Sequence, residues 1–227
     1  MRGRRKAVSA FNQGSYARIN VYIDGFNLWY AIRDHARQGH AVKWLDLDCL
    51  SRLLFPNDTI NRIRYFTAAI QPRPGKPNQA VHQQIYWRAL RTLPRLSLHE
   101  GLFRTDPKWM PLEHPPPTGP STVRVLKTEE KGSDVNLATF LVSDAYEQDF
   151  EKAVVISNDS DLCTPIALVR MRLGLDVIVY NPGAKPSREL QRDATVMRQL
   201  RRGPLLGSQF PPTLVDAQGT FTKPTGW

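Results

Sequence analysis

Four aspartates carry most of the chemistry that can be read from this sequence: Asp24, Asp134, Asp159 and Asp161. Asp159 and Asp161 stand two residues apart in Ser157-Asn158-Asp159-Ser160-Asp161, directly after Ala153-Val154-Val155-Ile156, a short apolar run that reads as a buried strand. From Leu162 to Arg172 apolar residues recur at helical spacing, so the pair lies on a strand-to-helix turn. Asp24 ends a second strand, Arg18 to Ile23, and Gly25 marks the stop. Asp134 lies in the first turn of a helix expected from Ser133 to Tyr146. If these strands are parallel, their ends share one edge, and the four carboxylates converge on one pocket. An all-oxygen set suits Mg²⁺ or Mn²⁺. Without a cation, carboxylates held close raise one another's pKa. Two such ions, ~3.5–4 Å apart, would activate water and stabilise the leaving oxygen of a phosphodiester.

Each acid also has an ordinary reading. Asp159 and Asp161 suit a turn and a helix N-cap, Asp24-Gly25 suits a turn, and Asp134 suits the helix dipole. Their joint placement at strand ends favours a shared site.

The elements that must position these acids alternate between strands and helices. Helices are expected over Phe26–Arg37, within Trp44–Leu54 with Asp46 as N-cap, and over Asn78–Leu93. In the helix from Ser133, with Ser133 as its cap, Val135, Leu137, Ala138, Leu141, Val142 and Ala145 form the apolar face. Strands are expected over Arg62–Ile70, Leu96–Phe103, Thr122–Leu126 and Asp176–Tyr180, and a last helix over Ser187–Arg201. This alternation is the mark of a parallel α/β sheet. Gln71 to Pro77 holds three prolines and reads as a loop. Residues 104–121, with Pro107, Pro111, Pro115–Pro117 and Pro120, read as a flap outside the core. The simplest division is a flexible basic arm over 1–17, one domain over 18–202, and an extended or disordered tail over 203–227.

The chain has 227 residues and a formal net charge of +10, which points to a polyanionic partner. Two cysteines, Cys49 and Cys163, without metal-ligand spacing, argue against zinc and disulfides and fit a reducing cytoplasm. No apolar run approaches the ~20 residues a membrane span needs.

Three blocks together resemble the NYN domain family of the PIN-like ribonuclease superfamily: Val21-Tyr-Ile-Asp24-Gly-Phe-Asn27-Leu28, Glu130-Lys-Gly-Ser-Asp134-Val135 and Val155-Ile-Ser157-Asn-Asp159-Ser-Asp161-Leu162. The resemblance covers roughly residues 18–200. It implies a Rossmann-like three-layer fold with a central, mainly parallel sheet, and Mg²⁺- or Mn²⁺-dependent cleavage of RNA. It assigns Asp24, Asp134, Asp159 and Asp161 to the metal, Asn27 to orienting a ligand or water, and Ser157 to the small hydroxyl position before the acidic pair. Where many relatives carry a further acid midway along the helix that begins at Ser133, this chain has Phe140. Asp144, one turn on, reads as a structural acid.

Around the acids, Lys127, Lys131, Arg73 and Lys76 are candidates to meet phosphate, with Lys127 and Lys131 also readable as solvated loop residues. Trp109, in the flap, suits base stacking, whereas Trp29 reads as core. The leading expectation is a metal-dependent endoribonuclease with RNA as partner; DNA, a homodimer and a partner protein stay open. The alternatives are a silent RNA-binding scaffold of the same fold and a phosphohydrolase on a small substrate.

Overall fold

The strands of a sheet covered on both faces must be apolar on both sides, and Val21-Tyr22-Ile23 and Val154-Val155-Ile156 are buried throughout. The computed structural model describes residues 16–72, 75 and 78–227. Its elements, in chain order, are β1 (Arg18–Asp24), α1 (Gly25–Arg37), α2 (Leu47–Leu54), β2 (Thr59–Ala68), α3 (Gln79–Leu90), β3 (Leu96–Pro111), β4 (Thr122–Lys131) and α4 (Ser133–Tyr146). There follow β5 (Lys152–Ile156), α5 (Cys163–Leu173), β6 (Asp176–Asn181), α6 (Arg188–Asp193), β7 (Val196–Gln199), α7 (Arg202–Gly207), β8 (Thr213–Asp216) and β9 (Gly219–Thr222).

Seven strands pair in the order β4-β3-β2-β1-β5-β6-β7. All neighbours are parallel except β3 and β4. From β1 the chain winds outward through β2 and β3, then returns to lay β5 on the other side of β1. The gap between the carboxyl ends of β1 and β5 is therefore the topological switch point, where open α/β sheets place their ligands. One sheet face packs α1, α2 and α3 through Ile32, Leu50 and Leu90, and the other packs α4, α5 and α6 through Leu141, Ile166 and Leu190. The result is a three-layer α/β fold with a mainly parallel sheet.

Four expectations change. The flap is an ordered β-hairpin. β3 pairs with β2 only from Leu96 to Gly101, then continues outward against β4, from Leu102↔Lys131 to Pro111↔Thr122. Pro107 and Pro111 are tolerated because the projecting ribbon has no further sheet neighbour needing their N–H. The last helix stops at Asp193, and Val196–Gln199 becomes the edge strand β7. Thr195 starts this strand: its amide donates to the Val177 carbonyl (2.8 Å), and its Oγ1 accepts the Val177 amide (3.0 Å). On α4 the cap is Gly132, not Ser133, and Val135 turns to solvent, leaving Leu137, Leu141 and Ala145 as the inner stripe.

The tail is the fourth change, since 203–227 is folded. Leu205, Phe210 and Phe221 enter the core on the α1–α3 side. Trp44 Nε1 donates to the Pro211 carbonyl at 2.8 Å, and Arg88 grips Asp216 with two bonds of 2.7 Å. Of the basic arm over 1–17, residues 1–15 lie outside the described residues.

Candidate metal centre

β1 delivers Asp24 to the switch point and α1 begins immediately, with Asp24 as its N-cap. Asp24 Oδ1 accepts the amides of Phe26 and Asn27, both at 3.0 Å. Its Oδ2 accepts the Asn27 side-chain amide at 2.6 Å and the Ser157 hydroxyl at 2.8 Å. These neutral donors fix the carboxylate without neutralising it. Burial pushes the Asp24 carboxyl above its usual range, the hydrogen bonds from Asn27 and Ser157 pull it back, and the Asp159 charge pushes it up again.

β5 ends at the same level, since Ile23 pairs with Ile156. Ser157, fully buried, bridges the two strand ends: its hydroxyl donates to Asp24 and accepts the Asp159 amide at 3.1 Å. Asn27 makes a second bridge, accepting the Asn158 amide at 3.3 Å. Asp159 caps the 3-10 turn Ser160–Leu162, taking the Asp161 amide at 3.0 Å on Oδ1.

α4 brings the third acid. Gly132 adopts a left-handed backbone (φ 102°), which lets β4 turn sharply into the helix. Gly101 faces this corner so closely that a Cβ there would lie 2.7 Å from the Lys131 carbonyl. Glu130 closes the corner, accepting the Ser133 amide at 3.0 Å and the Ser133 hydroxyl at 2.8 Å. Asp134, half-buried, is pushed up to about 6 by burial and by the charges of Asp24, Asp159 and Glu130.

Carboxylate oxygens of Asp24, Asp134 and Asp159 all lie within 4.8 Å of one another. Among the described residues, none of the three forms an ion pair with an arginine, lysine or histidine. Oxygen donors at this spacing, with Asp24 and Asp134 pushed upward and no fixed countercharge, fit a hard divalent cation.

The remaining expected residues fall elsewhere. Asp161 is exposed and outside the trio. One residue into the 3-10 turn, it gives its amide to Asp159, so the turn that directs Asp159 inward directs Asp161 to solvent. Asn27 and Ser157 hold the acids directly. Lys131 lies on the β4 face opposite Glu130 and pairs with Glu129 at 3.2 Å, as Lys108 does at 3.1 Å. The lysines Lys127, Lys108 and Lys131 hold Glu129 down to about 2. Arg73 and Lys76 lie outside the described residues. Trp109 is 69% exposed on the hairpin, as stacking would require.

Phe140 fills the place of a further acid: its ring lies 4.4 Å below the Arg64 guanidinium and 4.3 Å from the His99 ring. Asp144 is structural, taking Arg64 at 2.7 and 2.8 Å and the Tyr22 hydroxyl at 2.7 Å. The residue that sequence reasoning missed is Glu130. Its signal was the spacing, an acid three residues before a helix-opening Ser-Asp.

A cavity of about 410 Å³ shares a wall with this centre. Gly25 and Phe26, directly after Asp24, line it together with Trp29, Tyr65, Tyr86 and Trp227.

The fold and the acidic switch point define a PIN-like three-layer α/β domain. The chain matches the NYN domain model over residues 18–200 and belongs to the NYN domain family. A curated relative, 6-hydroxy-3-succinoylpyridine 3-monooxygenase HspA of Pseudomonas putida, is 27% identical over 239 residues, 92% of this chain and 75% of that protein. A solved structure of a Vibrio parahaemolyticus protein of unknown function aligns with a TM-score of 0.55 at 14% identity, covering 88% of this chain and 100% of that one; the two share a fold. No helix among the described residues is long and apolar enough to cross a membrane.

Proposed function

We propose that this chain is a metal-dependent endoribonuclease in which Asp24, Asp134 and Asp159 hold Mg²⁺ or Mn²⁺. The observation that carries this reading is the meeting of three carboxylates at the switch point without a protein countercharge. A bound divalent ion would supply Lewis-acid polarisation of a phosphodiester and a lowered pKa for the attacking water. Asn27 and Ser157 keep Asp24 aimed, and Glu130 sets the start of α4 and with it Asp134. Lys131, near the α4 corner, and Arg73 and Lys76, which follow β2 in the sequence, are the candidates to meet phosphates flanking the scissile one. The net charge of +10 supports a polyanionic substrate, and RNA is the substrate that the resemblance of the three sequence blocks implies.

The test is cleavage of mixed RNA and DNA substrates by the purified chain with Mg²⁺, Mn²⁺ or chelator. Metal-dependent internal cuts in RNA, abolished in Asp159→Asn while RNA binding persists, are the expected result. Cleavage by Asp159→Asn at the parental rate overturns the assignment.

A second reading is favoured by one observation, the aromatic cavity against Gly25. The HspA relative is named for oxygenation of a hydroxypyridine, and this cavity is the kind of place that holds such a ring. Oxygenation also needs dioxygen and a two-electron reductant. Oxygen uptake dependent on both a hydroxypyridine and a nicotinamide reductant, with no RNA cleavage, would replace the first reading with this one.

A further inference from the structure

The cavity beside the metal centre is lined largely by aromatic residues. We infer that it binds a nitrogen-bearing heteroaromatic ring, and that in the nuclease this ring is a base of the RNA whose phosphate lies at the acids. Only the source of the ring rests on the proposed ribonuclease function; the binding of a ring stands on the cavity itself.

Its volume of about 410 Å³ lies within the range of small-molecule sites, ~300–1,000 Å³. Aromatic side chains line the walls. Trp227 lies 5.7 Å from Trp29 and 5.6 Å from Tyr86, centroid to centroid. Its position is fixed, because its Nε1 donates to His82 Nδ1 at 3.0 Å and Lys43 Nζ donates to the Gly226 carbonyl at 3.1 Å. A lipid tail or an aliphatic ligand needs no polar edge, yet Asn78 and Gln79 also line the space. Asn78 makes no side-chain cap bond to α3, so its amide is not spent on the helix it precedes. Stacking walls with amides at one side suit a ring that carries donors and acceptors on its rim.

The cavity and the acids are joined through Gly25. A Cβ there would stand 2.8 Å from a ring carbon of Tyr65 and 2.7 Å from the Phe66 carbonyl. Glycine at this position therefore lets the Tyr65 ring lie against the start of α1, one residue from Asp24. Burial raises the Tyr65 phenol, and the Asp24 charge raises it further, consistent with that closeness. In a nucleotide, base and phosphate are separated by a single sugar. A wall shared by a ring pocket and a metal centre matches that arrangement.

The experiment is titration of the intrinsic tryptophan fluorescence of the full chain, in chelator so that no turnover occurs. The probes are adenosine and cytidine monophosphate and, separately, a hydroxypyridine. The variants are Trp29→Ala, Asn78→Ala and Asp159→Asn, each checked for native circular dichroism. Nucleotide binding is expected to weaken about ten-fold or more in Trp29→Ala, to weaken less in Asn78→Ala, and to persist in Asp159→Asn. If Trp29→Ala does not fold, Asn78→Ala, at the exposed start of α3, carries the test. Binding of the hydroxypyridine but not of nucleotides would uphold the cavity as a ring site and remove RNA as the source. No response to either probe up to about 1 mM, confirmed by ligand-observed NMR, would overturn the inference. Because chelator is present throughout, a failed cleavage assay leaves this outcome untouched.

Discussion

Two groups of buried and half-buried aspartates lie along the same sheet, and they are compensated in opposite ways. Asp144 meets Arg64 through a two-pronged pair, and Asp149 takes Arg62 Nε at 2.7 Å and Asn20 at 2.8 Å. Burial pushes Asp149 up, but the bonds from Asn20 and Arg62 outweigh it and hold the carboxyl below its usual range. Asp24, Asp134 and Asp159 have neutral donors and one another, and Asp24 and Asp134 are pushed upward. The first group carries its countercharge within the chain, so its charges are finished on folding. The second is left one cation short. Residue type and burial alone do not separate a structural acid from a metal ligand; the partner does.

This contrast can be broken by substitution. The largest effect on folding is expected at Asp144→Ala. Removing one partner of a buried pair strands Arg64 and costs ~3–5 kcal/mol, read as a clear fall in thermal midpoint with no change in metal affinity per folded molecule. Asp159→Asn should do the reverse, leaving the midpoint near the parent and lowering RNA cleavage by about 100-fold or more, ~2.7 kcal/mol in the barrier. A smaller effect is expected at Asp134. Its folded value of about 6 exceeds its unfolded value of 3.8, so its contribution to stability is present below the unfolded value and lost as pH rises through about 6. In metal-free protein at pH 8, Asp134→Asn should therefore raise the thermal midpoint by about 2–4 °C, and the gain should vanish at pH 4. The smallest expected effect is at Glu130→Gln, which can still accept the Ser133 amide and donate to the Ser133 hydroxyl while removing a charge beside Asp134. The lower limb of the pH–rate profile should move to lower pH, with kcat at pH 8 nearly unchanged.

The same contrast explains what the sequence alone reveals. Asp24 and Asp159 are readable because each follows an unbroken apolar run, and a strand end in a parallel sheet has only one place to go. Asp161 is not distinguishable from Asp159 by spacing, since the 3-10 turn that separates them is a matter of local hydrogen bonding. Phe140 and Asp144 were legible as a departure, but the pairing of Asp144 with Arg64 joins residues 80 apart and has no local signature. The tail is hidden for a related reason. Leu205, Phe210 and Phe221 are single anchors spread among prolines, without helix or strand periodicity, and they are ordered by long-range contacts: packing in the core, Phe210 against Trp44, and the bonds from Trp44 to Pro211 and from Arg88 to Asp216. The hairpin ribbon was masked by its prolines, which mark loops in most settings but are harmless on an unpaired edge.

Calorimetric titration of Mn²⁺ into the chain and into its Asp24→Asn, Asp134→Asn and Asp144→Asn variants tests the central claim most directly. The account predicts saturable binding to the parent, weakened about ten-fold or more at Asp24 and Asp134 and unchanged in the folded fraction of Asp144→Asn. Binding that is absent from the parent, or indifferent to Asp24 and Asp134, would contradict it.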